Sequence, residues 1–88
     1  MKTFFVPTYM KILSIIYTTQ DYKETYIFEI MRKIDGSYDN VYKILRQLDN
    51  KGYVTRNREG QKMIIRLTDK GQTIAKYCSD IIYYLNKV

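Results

Sequence analysis

SYDNVYKILRQLDNKGYVTRNREGQKMIIRL, residues 37–67, holds a helix, a stop and a hairpin in immediate succession. Val41, Ile44, Leu45 and Leu48 fall at i, i+3, i+4 and i+7, which predicts a helix over 37–50 with one apolar stripe. Lys51-Gly52 ends it, glycine supplying the left-handed residue that closes many helices. Two extended runs follow, Tyr53–Asn57 and Lys62–Leu67, joined by the glycine-containing turn Arg58-Glu59-Gly60-Gln61. In the second run Met63, Ile65 and Leu67 alternate inward to the core.

Opposite the stripe the helix carries Tyr38, Asp39, Tyr42, Lys43 and Arg46, and the hairpin carries Arg56, Arg58 and Lys62. A helix with a polar face followed at once by a basic hairpin is the order of parts in a winged helix. The stretch reads as a unit that enters a DNA groove.

Composition sets the frame. Eighty-eight residues make one domain with one modest core. No apolar run approaches a membrane span and the N-terminus has no signal-peptide pattern, so the expectation is an intracellular, cytoplasmic protein without a membrane partner. The net charge is +6. Between Lys43 and Lys70 eight basic residues stand against three acidic ones, which places +5 of that total in 28 residues. A localised positive face is the footprint of a polyanion partner. A solvated surface is the plainer reading of the charge, and the helix-then-hairpin order favours nucleic acid over it.

Chemistry is easier to exclude. With no histidine and one cysteine, neither a zinc site nor a Cys–His or Ser–His nucleophile pair is expected. The four glycines are isolated at turns and build no phosphate loop, and the nine carboxylates form no recognisable catalytic pair. The reading is a non-enzyme with no catalytic residue, metal or cofactor.

Outward from the central stretch, Met1–Val6 is a short apolar lead and Pro7 suits the start of a helix. Tyr9, Ile12, Leu13, Ile16 and Tyr17 then predict an amphipathic helix over 8–19, widened by Met10 and Ile15. After the polar break 19–23 a second helix is expected from Glu24 or Thr25 to Lys33 or Ile34, burying Ile27, Ile30, Met31 and Ile34. Gly36 turns the chain and Ser37 is a candidate N-cap for the next helix. So close a pair of helices is a helix-turn-helix. Beyond the hairpin, Thr68 or Asp69 can cap a last helix running to about Asn86. On it Ile74, Tyr77, Ile81, Tyr84 and Val88 repeat in steps of three and four, with Cys78 and Leu85 beside them. So long an apolar seam exceeds what a small domain covers with its own chain, and marks a homodimer interface on the last helix, joined by the first, whose wide stripe is either core alone or core and second subunit together.

The phrases around the hairpin resemble the MarR and PadR groups of winged-helix transcription regulators. Leu45-Arg46-Gln47-Leu48-Asp49-Asn50-Lys51-Gly52-Tyr53-Val54 matches their "L-x-x-L-x-x-x-G-Y/L-V/I", Leu67-Thr68-Asp69-Lys70-Gly71 their "L-T-x-x-G", and Tyr42 a tyrosine common in PadR reading helices. The resemblance spans roughly residues 24–76. It implies a dimeric DNA-binding repressor or activator, with the third helix in the major groove and the wing on the minor groove or backbone. The "D-x-R" of MarR wings is absent, Arg58-Glu59-Gly60-Gln61 standing in its place, as are the long flanking helices that form effector pockets in many MarR proteins. Brevity and richness in Ile, Tyr and Lys resemble small regulators of crenarchaeal viruses and plasmids, which would place the protein in a host cell.

The candidate DNA-binding residues are Ser37, Tyr38, Asp39, Asn40, Tyr42, Lys43, Arg46, Arg56, Arg58 and Lys62. Lys43 and Arg46 can donate to phosphates or guanine edges. Tyr38 and Tyr42 either touch phosphates and thymine methyls or cover a helix junction. Asn40 either reads adenine or caps the first turn. Asp39 either accepts from a cytosine amino group or complements the helix N-terminus. Arg56, Arg58 and Lys62 flank the hairpin turn, where charge meets a DNA backbone or else keeps an edge strand from pairing with other molecules. The candidate dimer residues are Ile74, Tyr77, Cys78, Ile81, Tyr84, Leu85 and Val88. Cys78 is a small buried hydrophobe or, if two helices cross near it, half of an intersubunit disulfide.

The expected fold is therefore α+β, mostly α: a winged helix-turn-helix with three N-terminal helices, a two-stranded wing and a long C-terminal dimerisation helix. One domain fills 1–88, with the helix-turn-helix at about 24–51, the wing at 53–67 and the last helix at 69–86. The expected function is sequence-specific binding of double-stranded DNA as a homodimer. The alternatives are a protein-interaction module, which would want an apolar or acidic reading helix, and nonspecific architectural binding.

Overall fold

The computed structural model describes residues 6–34 and 38–87. Helix Thr8–Thr19 (α1) leads to a two-residue strand, Thr25–Tyr26 (β1), and directly into helix Ile27–Lys33 (α2). Helix Tyr38–Asn50 (α3) follows, then strands Val54–Glu59 (β2) and Lys62–Leu67 (β3) and the long helix Asp69–Lys87 (α4). The mostly helical α+β architecture read from the sequence holds. Gly36 and Ser37, expected as turn and cap ahead of α3, lie outside the described residues, as do Met1–Phe5 and Val88.

The sheet differs from expectation. It has three antiparallel strands in the order β1-β3-β2, with Thr25 paired to Ile65 and Tyr26 to Ile64. The second helix accordingly starts at Ile27, not at Glu24 or Thr25. The reason lies in β3, where Ile64 and Ile65, on opposite faces, are both buried. A strand covered on both faces sits best in the middle of a sheet, and Thr25-Tyr26, β-branched and aromatic, suits the vacant edge. Strict alternation would put only Met63, Ile65 and Leu67 inside; Met63 and Leu67 prove half-buried. The hairpin turn is also tighter than expected, with Glu59 paired to Lys62 and Gly60 in the left-handed region at φ 64°.

One core joins all the layers. Ile12, Leu13 and Ile16 of α1 meet Ile27, Ile30 and Ile34, then Val41, Leu45 and Leu48 of α3, Val54 and Ile65 of the sheet, and Ala75 and Cys78 of α4. Each fully buried aliphatic side chain contributes on the order of 1.5–3 kcal/mol. Helix α1 lies chiefly against α4. Beyond α1, the side-chain amides of Gln20 and Gln72 exchange two hydrogen bonds, of 2.9 and 3.2 Å.

The junction of α3, β2 and α4 fixes the wing. The Tyr53 N–H donates to Leu48 O at 2.9 Å and the Gly52 N–H to Asp49 O at 3.0 Å, a Schellman closure with Gly52 at φ 83°. Thr68 caps α4: its Oγ1 accepts from the Gly71 N–H at 3.0 Å and donates to Gly52 O at 2.6 Å. Its own N–H donates to Tyr53 O at 3.1 Å. The two phrases, Leu45–Val54 and Leu67–Gly71, are therefore the two sides of one joint.

Candidate nucleic-acid interface

Because Val41, Leu45 and Leu48 anchor α3 in the core, the helix must turn Tyr38, Asp39, Asn40, Lys43 and Arg46 outward, and all five are exposed. Tyr42 is half-buried and stacks on Tyr38, ring centres 6.0 Å apart. The wing continues this surface through Arg58, Glu59, Gly60, Gln61 and Lys62, also exposed. Ser37 falls outside the described residues.

The cations divide into two groups. Among the described residues Lys43, Arg46, Arg58 and Lys62 take part in no ion pair, so their charge is open to a polyanion. Two cations nearer the base of the wing strands are matched by acids. Arg66 grips Glu24 with two nitrogens, at 3.1 and 2.6 Å. Arg56 Nε donates to Asp49 Oδ2 at 2.8 Å, and the guanidinium lies 5.6 Å from the centre of the Tyr42 ring. Its side chain is 18% exposed. The hydrogen bond to Asp49 holds Arg56 protonated more firmly than usual, with a smaller contribution from Tyr42.

Sequence reasoning missed a second aromatic group. Tyr26 and Phe28 stand with parallel rings 5.9 Å apart, Lys62 Nζ lies 5.0 Å from the Tyr26 ring centre, and the Arg32 guanidinium lies 5.9 Å from that of Phe28. Phe28, 46% exposed, is a large apolar side chain left at the surface beside the wing. Its sequence signal is the aromatic pair itself, which helical spacing absorbs into α2.

On α4 the apolar residues form two faces where the spacing predicts one seam. Gly71, Ala75 and Cys78, at i, i+4 and i+7, are buried. Cys78 is 5% exposed inside the core of its own chain, and burial pushes its thiol pKa up. Ile74, Tyr77, Ile81 and Tyr84 occupy the other face, with Ile81 47% and Tyr84 63% exposed, and Leu85 is half-buried between the two. Val88 is outside the described residues. No helix among the described residues is long and apolar enough to cross a membrane.

Residues 10–79 match the family described as the DUF6293 C-terminal winged helix domain. An uncharacterized protein of Archaeoglobus fulgidus is 34% identical over 71 residues, 81% of this chain and 75% of that one. Among solved structures, AF1382 from Archaeoglobus fulgidus superposes with a TM-score of 0.84 at 32% identity, covering 96% of this chain and 93% of its own. SSV1 F-93 superposes at 0.79 with 20% identity, covering 99% and 98%. The Staphylococcus aureus MepR–DNA complex gives 0.76 at 20% identity, with 94% of this chain on 62% of MepR. The last two share the fold.

Proposed function

The chain belongs to the DUF6293 C-terminal winged helix domain family, and from that premise we propose that it is a non-enzymatic, intracellular transcription regulator that binds specific duplex DNA as a homodimer. Residues 1–88 act as one domain. Helix α3 enters the major groove, where Tyr38, Asp39, Asn40, Lys43 and Arg46 meet base edges and flanking phosphates, with Tyr42 behind them. The wing lays Arg58 and Lys62 on the backbone or in the minor groove. The observation that carries the reading is the open charge at the outward face of α3 and the wing tip: the cations there are in no ion pair among the described residues, while Arg56 and Arg66, nearer the base of the wing strands, are matched by acids. A neighbour of the same fold, MepR, has been crystallised with DNA. The second copy docks on the Ile74–Tyr77–Ile81–Tyr84 face of α4.

Selection of bound fragments from random duplex DNA, followed by titration of the selected site against unrelated duplexes, tests the reading. Recovery of one inverted repeat, bound far more tightly than unrelated DNA, is the expected result. Equal affinity for all duplexes would leave an architectural protein, and no affinity at low salt would remove DNA as the partner.

A further inference from the structure

Arg56 carries a charge at the root of the wing, yet its geometry differs from that of Arg58 and Lys62. It leaves β2 and reaches back to α3 at two points. One is the Asp49 carboxylate, at 2.8 Å; the other is the Tyr42 ring, 5.6 Å from the guanidinium. Tyr42 and Asp49 are seven residues apart, two turns along one face of a helix, a span of about 10 Å. A single contact would fix only a distance between wing and helix. Two contacts drawn from well-separated positions on the helix fix where the guanidinium sits both along and across it, and so where β2 rests on α3. Tyr42 is in turn stacked on Tyr38, so the restraint extends to the start of α3.

The charge also argues against a direct contact. Arg56 is largely covered, and its partner Asp49 cancels its charge. A matched pair displaces no counterion when a polyanion arrives, whereas each unpaired cation that meets a phosphate does. We infer that Arg56, held by Asp49 and Tyr42, is a positioning residue that sets the wing against the reading helix, a role that rests on the duplex-DNA reading above.

This role and a direct contact predict opposite signs at Asp49. If Arg56 met DNA itself, Asp49→Asn would remove a nearby acid, free the guanidinium and tighten binding. If the pair sets the wing, Asp49→Asn weakens binding although it makes the surface more positive. The experiment titrates the selected duplex at several salt concentrations with the wild type, Asp49→Asn, Arg56→Gln, the double variant and Arg58→Ala. Each single variant of the pair should bind about tenfold more weakly, the scale of one charge-assisted hydrogen bond. The double variant should be no worse than either, and the salt slope should stay at the wild-type value in all three. Arg58→Ala should lower that slope by about 0.9. Unchanged or tighter binding by Asp49→Asn, or a slope reduced by Arg56→Gln, overturns the inference.

Absence of binding by the wild type would instead remove the duplex-DNA reading. A DNA-free measurement then decides the positioning role. Spin labels at Gln47→Cys on α3 and Gln61→Cys at the wing tip, both exposed positions, are placed in a Cys78→Ser background. Asp49→Asn should broaden the distance distribution between them, and an unchanged distribution overturns the inference.

Discussion

The carbonyl oxygen of Tyr53 occupies the space that any side chain on residue 71 would need: a Cβ placed on Gly71 would lie 1.8 Å from it. Helix α4 passes that closely over the start of the wing because Thr68 ties both Gly52 and Tyr53 to its N-terminus. Glycine is required there by the proximity of backbone, not by an unusual φ.

Gly71→Ala should therefore destabilise the fold by more than the roughly 1–3 kcal/mol typical of overpacking, since rigid backbone is the obstacle. Thermal melting should fall by about 4–8 °C for each kcal/mol of stability removed in a domain of this size. Gly60→Ala is the comparison, because Gly60 has open space around it and only its positive φ to lose, a penalty of about 1–2 kcal/mol. Equal melting points for the two variants would contradict the close approach.

Substitutions on the two halves of the proposed DNA surface should separate. Lys43→Ala and Arg46→Ala should lower discrimination between the selected duplex and unrelated ones, by about 1–3 kcal/mol for each side chain that reads a base edge. Arg58→Ala and Lys62→Ala should weaken all duplexes alike and reduce the salt slope by about 0.9 each. Titrations on both duplexes at two salt concentrations check this, and a wing variant that relaxes specificity would exchange the assignments.

Ile81→Asp should divide the proposed dimer. The side chain is near the middle of the exposed α4 face and about half exposed, so the isolated chain tolerates a carboxylate there. Two carboxylates facing each other across a twofold axis would be buried without partners. Sedimentation should register a monomer at micromolar concentration, with DNA affinity falling sharply although α3 and the wing are intact. The wild-type site should be an inverted repeat with half-sites about 10 base pairs apart. A monomeric wild type would contradict the assembly.

Acid should weaken the fold through Glu29. A hydrogen bond from Lys23 is the largest cause of its lowered pKa, with further help from the charge of Lys23, the Tyr26 backbone N–H and Arg32. The folded value lies below the ordinary 4.5. Its stabilisation is therefore complete above about pH 4.5 and disappears as pH falls through the folded value. Glu29→Gln should be less stable than the wild type at pH 7, and the difference should shrink as the pH is taken below 4.5. A difference that stays constant over that range would exclude the linkage.

How far the sequence could be read depended on the reach of each interaction. Gly52 and Thr68 were legible because closing and capping a helix are local backbone requirements that few residue types satisfy; Gly71, read as a turn residue, lies inside α4 instead, where the approach of the Tyr53 backbone requires it. Strand β1 was not. Two residues carry no periodicity, and its partner Ile65 stands forty residues away from Thr25. The consecutive Ile64-Ile65 was the available signal, since a strand open on one face would not need both. The two faces of α4 could have been separated by size: Gly71, Ala75 and Cys78 are small and sit at helical spacing, which suits close approach to the Tyr53 backbone and to α1, while Ile and Tyr mark the other side. The orientation of Arg56 was out of reach, because periodicity does not say which of many cations will find an acid.

The packing of α1 on α4 has a kinetic consequence. The first and last helices of the described chain are each other's chief neighbours, so their packing spans most of the sequence. Loop closure over such a distance is entropically unfavourable until intervening structure draws the ends together. The short-range units, the α3–Gly52–β2 closure and the β2–β3 hairpin, can assemble first and carry α1 and α4 toward each other. The clasp, with the Gln20–Gln72 amide pair on it, should then close late. Pulled from its ends, the folded chain would open there first, releasing both terminal helices before the wing comes apart.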